Sequence, residues 1–312
     1  MLGGPEMRQS MIEEWQHPSG FRWDHVKLDV AGRAWLDQSG LDPLVIEALA
    51  APDTRPRATF YDDGAVVFLR GVNTNEGAEA EDMVSVRMWV EPGRVVSVWL
   101  RPLRAVAQLR SASDLGSGPD GPGAFVSQLA LNLSETAAPV ISDLADRVDA
   151  LEESLVDPAV KIPRAALTRL RRTVIALRRY FSPQRDALSE LHHVHIPWIT
   201  DQDRDRLAEA TDRMARLTEE LEALGHRTQV LQDHIAARQA DDLNRQMYLL
   251  SVVAALFLPL GFVTGLLGVN VGGLPGTHSD IAFWIVCALM VALGLLQWWI
   301  FRAAGIVRRG DD

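Results

Sequence analysis

Hydrophobic positions recur along this chain with three periods, and each period predicts a different kind of element. Residues 247–267 and 281–301 are two apolar runs of equal length without a formally charged side chain. As helices rising about 1.5 Å per residue, each is long enough to cross a hydrocarbon core of about 30 Å. Ahead of the first run, Leu207, Ala210, Met214, Leu217, Leu221, Leu224, Thr228, Leu231 and Ile235 step by three and four. That is a heptad seam, and it requires helical partners from this chain or from copies of it. No proline falls between residue 203 and Pro259, and Gly225 is tolerable in so long a helix. One unbroken helix is therefore predicted to run from the stalk through the first span, with Leu207 to Gly268 spanning about 90 Å.

The strand period appears only near the N-terminus. Residues 65–69, 84–90 and 95–100 are β-branched runs, and Glu91-Pro92-Gly93-Arg94 is a turn signal joining the last two as an antiparallel hairpin. Residues 36–49 predict one or two short helices, with Pro43 starting the second. Beyond residue 103 the alternation stops, and 112–123 is a Gly/Ser/Pro/Asp loop. Three helices are predicted between 123 and 198: 124–155 with a kink or break at Pro139, 164–181, and a third opened by Pro183. The architecture is then an α+β or α/β domain at 1–120, a helical region at 121–200 and a stalk at 201–246. A span at 247–267, an outer loop at 268–280, a second span at 281–301 and a basic tail at 302–312 complete it.

Composition narrows the partners. The 312 residues carry a formal charge of −10, all of it in the part before the spans, which argues against nucleic acid. The single cysteine, Cys287, lies in the second span and excludes an intrachain disulfide or a CxxC metal site. Residues 1–15 hold no uninterrupted apolar segment, so no cleavable signal peptide is expected. Arg238 and Arg245 precede the first span, Arg302, Arg308 and Arg309 follow the second, and the loop between has no Lys or Arg. The positive-inside rule puts both termini and the large domain in the cytoplasm. Arg164, Arg169, Arg171, Arg172, Arg178 and Arg179 read either as an anionic-lipid or acidic-partner contact, or as a solvated face pairing with acids such as Glu152 and Glu153.

Two spans cannot enclose a water-filled path, so a conducting form must be a ring of copies lined by one helix each. The first span carries the polar and small positions. Counting back at helical spacing from Asn270 gives Leu266, Gly261 or Gly265, Leu258, Ala254, Ser251, Leu250, Met247 and Asn244. This face is apolar between two amide positions, which suits a cation keeping much of its hydration shell past constrictions at Leu250 or Leu258. Gly261 and Gly265 also fit close helix packing, and Pro259 frees a carbonyl one turn earlier as a pore-shaping or packing kink.

The run Pro259-Leu260-Gly261-Phe262-Val263-Thr264-Gly265-Leu266-Leu267-Gly268-Val269-Asn270, followed by a short loop, a second span and a basic tail, resembles the CorA superfamily of divalent-cation transporters. Val269 replaces the methionine of that family's Gly-Met-Asn tripeptide, and Val271-Gly272-Gly273-Leu274-Pro275-Gly276 replaces its acidic loop. Both departures look like the ZntB zinc-transporter branch, as do Thr54-Arg55-Pro56-Arg57 and Arg178-Arg179-Tyr180-Phe181-Ser182-Pro183-Gln184-Arg185-Asp186. The resemblance implies a funnel-shaped homopentamer in the bacterial inner membrane. It further implies Gly268, Val269 and Asn270 as the outer selectivity ring, Asn244 as a ring at the cytoplasmic mouth, and Asp233 at an intersubunit regulatory metal. Proton-coupled zinc uptake without a resident cofactor is the implied activity, with Mg2+, Ni2+, Cd2+ and Co2+ as further possible ions.

Zinc prefers His, Cys and carboxylate ligands, and the pore face offers none. His278 and Asp280 are the metal-competent side chains of the outer loop. His192, His193 and His195 read as a metal cluster or a surface turn, and His226 and His234 as stalk positions able to bind metal or simply exposed. Neither span has an Asp, Glu, His, Lys or Arg, so proton coupling would fall to Asp241, Asp242, His278 or Asp280. A magnesium or general divalent-cation channel is the alternative within the class; a two-span coiled-coil scaffold is the alternative outside it. No phosphate loop, nucleophile elbow or HExxH motif points to an enzyme.

Overall fold

Strand β4 (Ala65–Gly71) is apolar at consecutive positions because it is covered on both faces, as a central strand must be. The computed structural model describes residues 12–52, 54–62, 64–156, 163–269 and 281–303. It divides into two units, residues 1–233 and 234–312, which are described separately below.

The first unit is built on a six-stranded sheet in the order β1-β2-β6-β5-β4-β3. Its other strands are β1 (Ile12–Gln16), β2 (Arg22–Lys27), β3 (Arg57–Phe60), β5 (Val84–Glu91) and β6 (Arg94–Trp99). All neighbours are antiparallel except β2 and β6, which run parallel with Trp23 opposite Val95. The predicted hairpin is present: Glu91 pairs with Arg94 across Pro92-Gly93, and Gly93 takes φ +75°, a conformation that favours glycine.

Two short helices, α1 (Val30–Gln38) and α2 (Pro43–Ala50), cover one sheet face. Asp29 caps α1 through the amides of Ala31 and Gly32, and Asp42 caps α2 with Pro43 at its first turn, both standard helix starts. Leu36, Val45, Ile46 and Leu49 pack there on Val26, Val66, Phe68, Trp89, Val96 and Val98. The other face carries α3 (Arg104–Asp114), α4 (Pro122–Val156) and α5 (Arg164–His193). Trp23 and Phe21 meet Phe125 of α4 at ring-centroid distances of 4.9 and 6.3 Å.

Helix α6 (Asp201–Leu267) opens with a reciprocal cap. Thr200 N donates to Asp203 Oδ2 at 3.0 Å, and Asp203 N donates to Thr200 Oγ1 at 3.2 Å. The heptad seam then buries Leu207, Ala210, Met214, Leu217, Leu221, Leu224, Thr228 and Leu231 within the first unit. Arginines of α6 fasten it to α4: Arg213 to Glu135 at 2.9 Å, and Arg227 to both Glu152 and Asp149.

Several expectations are corrected. Pro139 lies inside α4 as expected, and among the described residues of 123–198 there are two helices rather than three, because Pro183 is carried inside α5. Pro183 is held there by its surroundings: Phe181 and Gln184 are buried, and Gln184 Oε1 accepts from Arg70 N at 2.6 Å. The loop predicted at 112–123 shrinks, since α3 runs to Asp114 and α4 begins at Pro122. Strands β1, β2 and β3 and helix α3 lie outside the predicted elements. The long helix ends at Leu267, where the first span was expected to end.

The second unit holds the remainder of α6 and helix α7 (Ala282–Ala303). Both helices are long and apolar enough to cross a membrane, and their apolar windows have no buried residue.

Candidate functional site

In the second unit, α6 has two unlike faces. Val252, Leu256, Pro259, Leu260 and Val263 are partly shielded, at the three- and four-residue spacing of one helix face. On α7 the partly shielded residues are Ala282, Val286, Cys287, Met290, Leu293, Gly294, Gln297 and Phe301, again one face. Asn244, Met247, Leu250, Ser251, Ala254, Leu258, Gly261 and Gly265, the face predicted to line a pore, are all exposed. At 3.6 residues per turn this exposed set lies on the side of α6 roughly opposite the shielded one. Met247, Leu250 and Leu258 are 66%, 70% and 74% exposed, values that an apolar residue keeps only when its cover lies outside its own chain.

The glycines of that face are equally open. A Cβ built at Gly261 or Gly265 meets nothing within 4 Å. One turn on, Gly268 N donates to the Thr264 carbonyl at 2.9 Å and closes the helix. A Cβ at Gly268 would lie 3.0 Å from that same carbonyl. Pro259 remains inside α6, and Thr264 Oγ1 turns back onto the carbonyls of Leu260 and Gly261 at 3.0 and 3.1 Å. Leu266 and Val269 are exposed at 57% and 47%. Asn270, His278 and Asp280 lie outside the described residues.

The acidic candidates are dispersed. Asp233 is exposed and accepts from Gln229 Nε2 at 3.0 Å on its own helix. Asp241 and Asp242 are exposed in the second unit. Among the described residues no group of three or more His, Cys, Asp or Glu side chains is placed to hold a metal. The histidines at the end of α5 make other bonds: His192 Nδ1 meets the Arg204 carbonyl at 3.1 Å, and His193 Nδ1 meets the Ser189 carbonyl at 2.7 Å. His192 and His193 thus close α5, and His195 follows it outside the helix.

The arginines of α5 pair differently from expectation. Glu152 is taken by Arg227 of α6, whose guanidinium holds its carboxyl below the usual range through a side-chain hydrogen bond. Arg178 reaches Glu222 at 3.6 Å, Arg171 bonds Gln232, and Arg179 and Arg70 lie over the Tyr180 ring at 5.6 and 4.3 Å. Arg70 also ties two of the motif stretches together, since its Nε donates to the Thr54 carbonyl and its backbone N to Gln184. That junction was not legible beforehand, because Arg70 closes an apolar strand with no pattern of its own.

One histidine is partly buried on the sheet. His25 stacks on Trp99 at 5.6 Å with an interplanar angle of 13°, and its Nδ1 lies 2.7 Å from Ser97 Oγ. Burial, with the Arg110 charge nearby, pushes it down to about 3. Packed against Trp99 and Ser97, it stays neutral at ordinary pH.

Comparison with known proteins gives a consistent set of likenesses. Residues 18–303 match the family described as CorA-like Mg2+ transporter protein. The chain is 43% identical over 275 residues to the divalent cation transporter CmaX of Pseudomonas aeruginosa, covering 86% of this chain and 82% of that protein. It is 37% identical over 271 residues to the zinc transport protein ZntB of Yersinia pestis, covering 86% and 83%. The structure of full-length CmaX superposes with a TM-score of 0.79 at 41% identity over 91% of this chain and 88% of that one. The CorA magnesium transporter of Methanocaldococcus jannaschii shares the fold, with a TM-score of 0.76 at 17% identity over 92% of each chain.

Proposed function

The chain belongs to the CorA-like family of metal-ion transporters, and from that premise we propose that it takes up zinc through a central pore lined by the first span. It is a divalent-cation transporter of the CorA and ZntB type, a family of transporters rather than enzymes. In this reading five copies form a ring in a bacterial inner membrane with both termini in the cytoplasm. Gly268, Val269 and Asn270 form the outer mouth, and Asn244 the inner one. The observation that carries the pore assignment is the two-faced α6: Val252, Leu256, Pro259, Leu260 and Val263 are partly shielded on one side, while the apolar and glycine side stays open. The ZntB relatives support zinc as the cargo, moving as a hydrated ion because the pore face holds no zinc-ligating side chain. Any proton coupling falls to Asp241, Asp242, His278 or Asp280, outside the spans.

Magnesium or general divalent passage is the second reading. It is favoured by the absence of soft ligands on the pore face and by the CmaX likeness, whose name specifies no ion. Flux into proteoliposomes separates the two: zinc uptake should exceed magnesium uptake at equal concentration, and Asn270→Ala should lose most of it. Equal fluxes would select the second reading. Flux and ion preference unchanged in Asn270→Ala would remove the pore assignment.

A further inference from the structure

Near the end of α6, Thr264 is bonded to both glycines of its own row. Gly261, Thr264 and Gly268 follow one another at steps of three and four, so they share one side of the helix. The Thr264 hydroxyl donates back to the carbonyls of Leu260 and Gly261 at 3.0 and 3.1 Å, and the Thr264 carbonyl accepts from Gly268 N at 2.9 Å. One residue thus holds the turn before it through its side chain and the turn after it through its backbone. The neighbouring glycines add no brace: a Cβ at Gly261 or Gly265 meets nothing within 4 Å, and Phe262 and Leu266 are exposed beside them. The α-helical pattern also gives the Leu260 and Gly261 carbonyls to the amides of Thr264 and Gly265. A carbonyl has two lone pairs and can take both donors, but the hydroxyl draws it outward and bends the helix. The fit is close at the exit, where a Cβ at Gly268 would stand 3.0 Å from the carbonyl that Thr264 supplies.

We propose that Thr264 is a positioning residue for ion binding at the outer mouth. Its hydroxyl sets the bend of the last two turns of α6, and with it the direction in which the chain leaves the helix into Gly268, Val269 and Asn270. This rests on the outer-mouth reading above and deepens it; Thr264 itself touches no ion in this role. The plainer role is that a hydroxyl in apolar surroundings satisfies itself on the nearest carbonyl. In that case removing the hydroxyl removes the need together with the bond, and transport is indifferent to it. The glycines on either side decide for positioning, because glycine is the residue whose backbone changes conformation most freely. A helix end built on Gly261, Gly265 and Gly268 keeps one geometry only where something else restrains it, and the Thr264 hydroxyl is bonded where that restraint is needed.

The test uses the full-length protein, with zinc flux into proteoliposomes measured against zinc concentration and amide hydrogen exchange of the peptide ending α6 measured in detergent. Thr264→Val removes the hydroxyl and keeps the branched shape. It should raise the half-saturating zinc concentration by about three- to tenfold, the range that one hydrogen bond is worth, with the maximal flux retained. Exchange at the Gly268 end should quicken by a similar factor. Thr264→Ser, which keeps the hydroxyl, should stay near wild type in both. Thr264→Ala repeats the loss with the best helix former, so a valine variant that fails to assemble still leaves the question answerable. Valine and alanine variants that match wild type overturn the proposal, and so does a serine variant as impaired as they are. Asn270→Ala separates the proposal from the outer-mouth reading. If Asn270→Ala leaves flux unchanged while exchange still depends on the Thr264 hydroxyl, the mouth reading fails and the hold on the helix end stands. If Asn270→Ala loses flux and every Thr264 variant matches wild type, the positioning role fails and the mouth stands.

Discussion

Helix α6 carries two apolar stretches with opposite fates. In the first unit Leu207, Leu221 and Leu231 are almost wholly buried against the chain's own helices. In the second, Met247, Leu250 and Leu258 are mostly exposed. The residue types are nearly the same; what differs is whether the chain supplies the partner. An apolar position covered from within specifies a fold, and one left open over several turns specifies an assembly or a lipid surface.

That contrast can be tested from its strongest expression downward. Replacing Leu221 by Ala opens a cavity in the covered stretch and should cost about 2–5 kcal/mol. The same change at Leu258 should leave the first unit's stability within about 0.5 kcal/mol while altering flux. Urea unfolding of the full-length protein in micelles, followed by tryptophan fluorescence, measures the difference. Similar losses at the two sites would mean that Leu258 is covered from within the chain.

Acid should act on the covered unit through His25. Its folded value of about 3 lies below the ordinary 6.5, so the unfolded chain binds the proton first as the pH falls. The corresponding stability is present above pH 6.5 and is lost as the pH drops toward 3, amounting to about 2 kcal/mol by pH 5. A His25→Gln variant should lack this part of the pH dependence in the same titration. An identical slope in variant and wild type would mean that His25 titrates normally in the fold.

The smallest expected effect is at Arg227, which fastens α6 to α4 through Asp149 and Glu152. The pair raises the guanidinium's affinity for its proton, chiefly through the Glu152 hydrogen bond. Its three members are between 35% and 57% exposed, so screening discounts the cluster and Arg227→Ala should cost about 1 kcal/mol or less. A larger loss in the same unfolding measurement would mark the clamp as essential to the seam.

How much was legible in the sequence follows from the same distinction. Strands β4, β5 and β6 are continuous β-branched runs, and the α6 seam repeats over many turns, so local pattern and final burial agree. Strand β2 was missed because its Asp24 and His25 break the apolar period. The carboxylate of Asp24 is buried yet neutralised by Arg22 at 2.7 Å and Arg94 at 2.9 Å, a pairing that depends on a strand far along the chain. Pro183 reads as a helix start because proline removes a backbone donor locally, whereas the helix around it is fixed by tertiary contacts of Phe181 and Gln184. Of the candidate site, the α6 face could be counted out residue by residue. Which side of it is shielded could not be, because the helix is apolar nearly all round over this stretch.

The parallel pairing of β2 with β6 sets an order of events during synthesis. Trp23 donates its indole N–H to Ser97 Oγ, 74 residues later in the chain. The sheet therefore cannot close until both the N-terminal segment and the hairpin strand have emerged, and that long loop must be ordered against its entropy. Both strands precede the first span by well over a hundred residues. The ribosome thus releases a complete sheet while the membrane helices are still unmade, and the soluble unit can be folded before α6 reaches the bilayer.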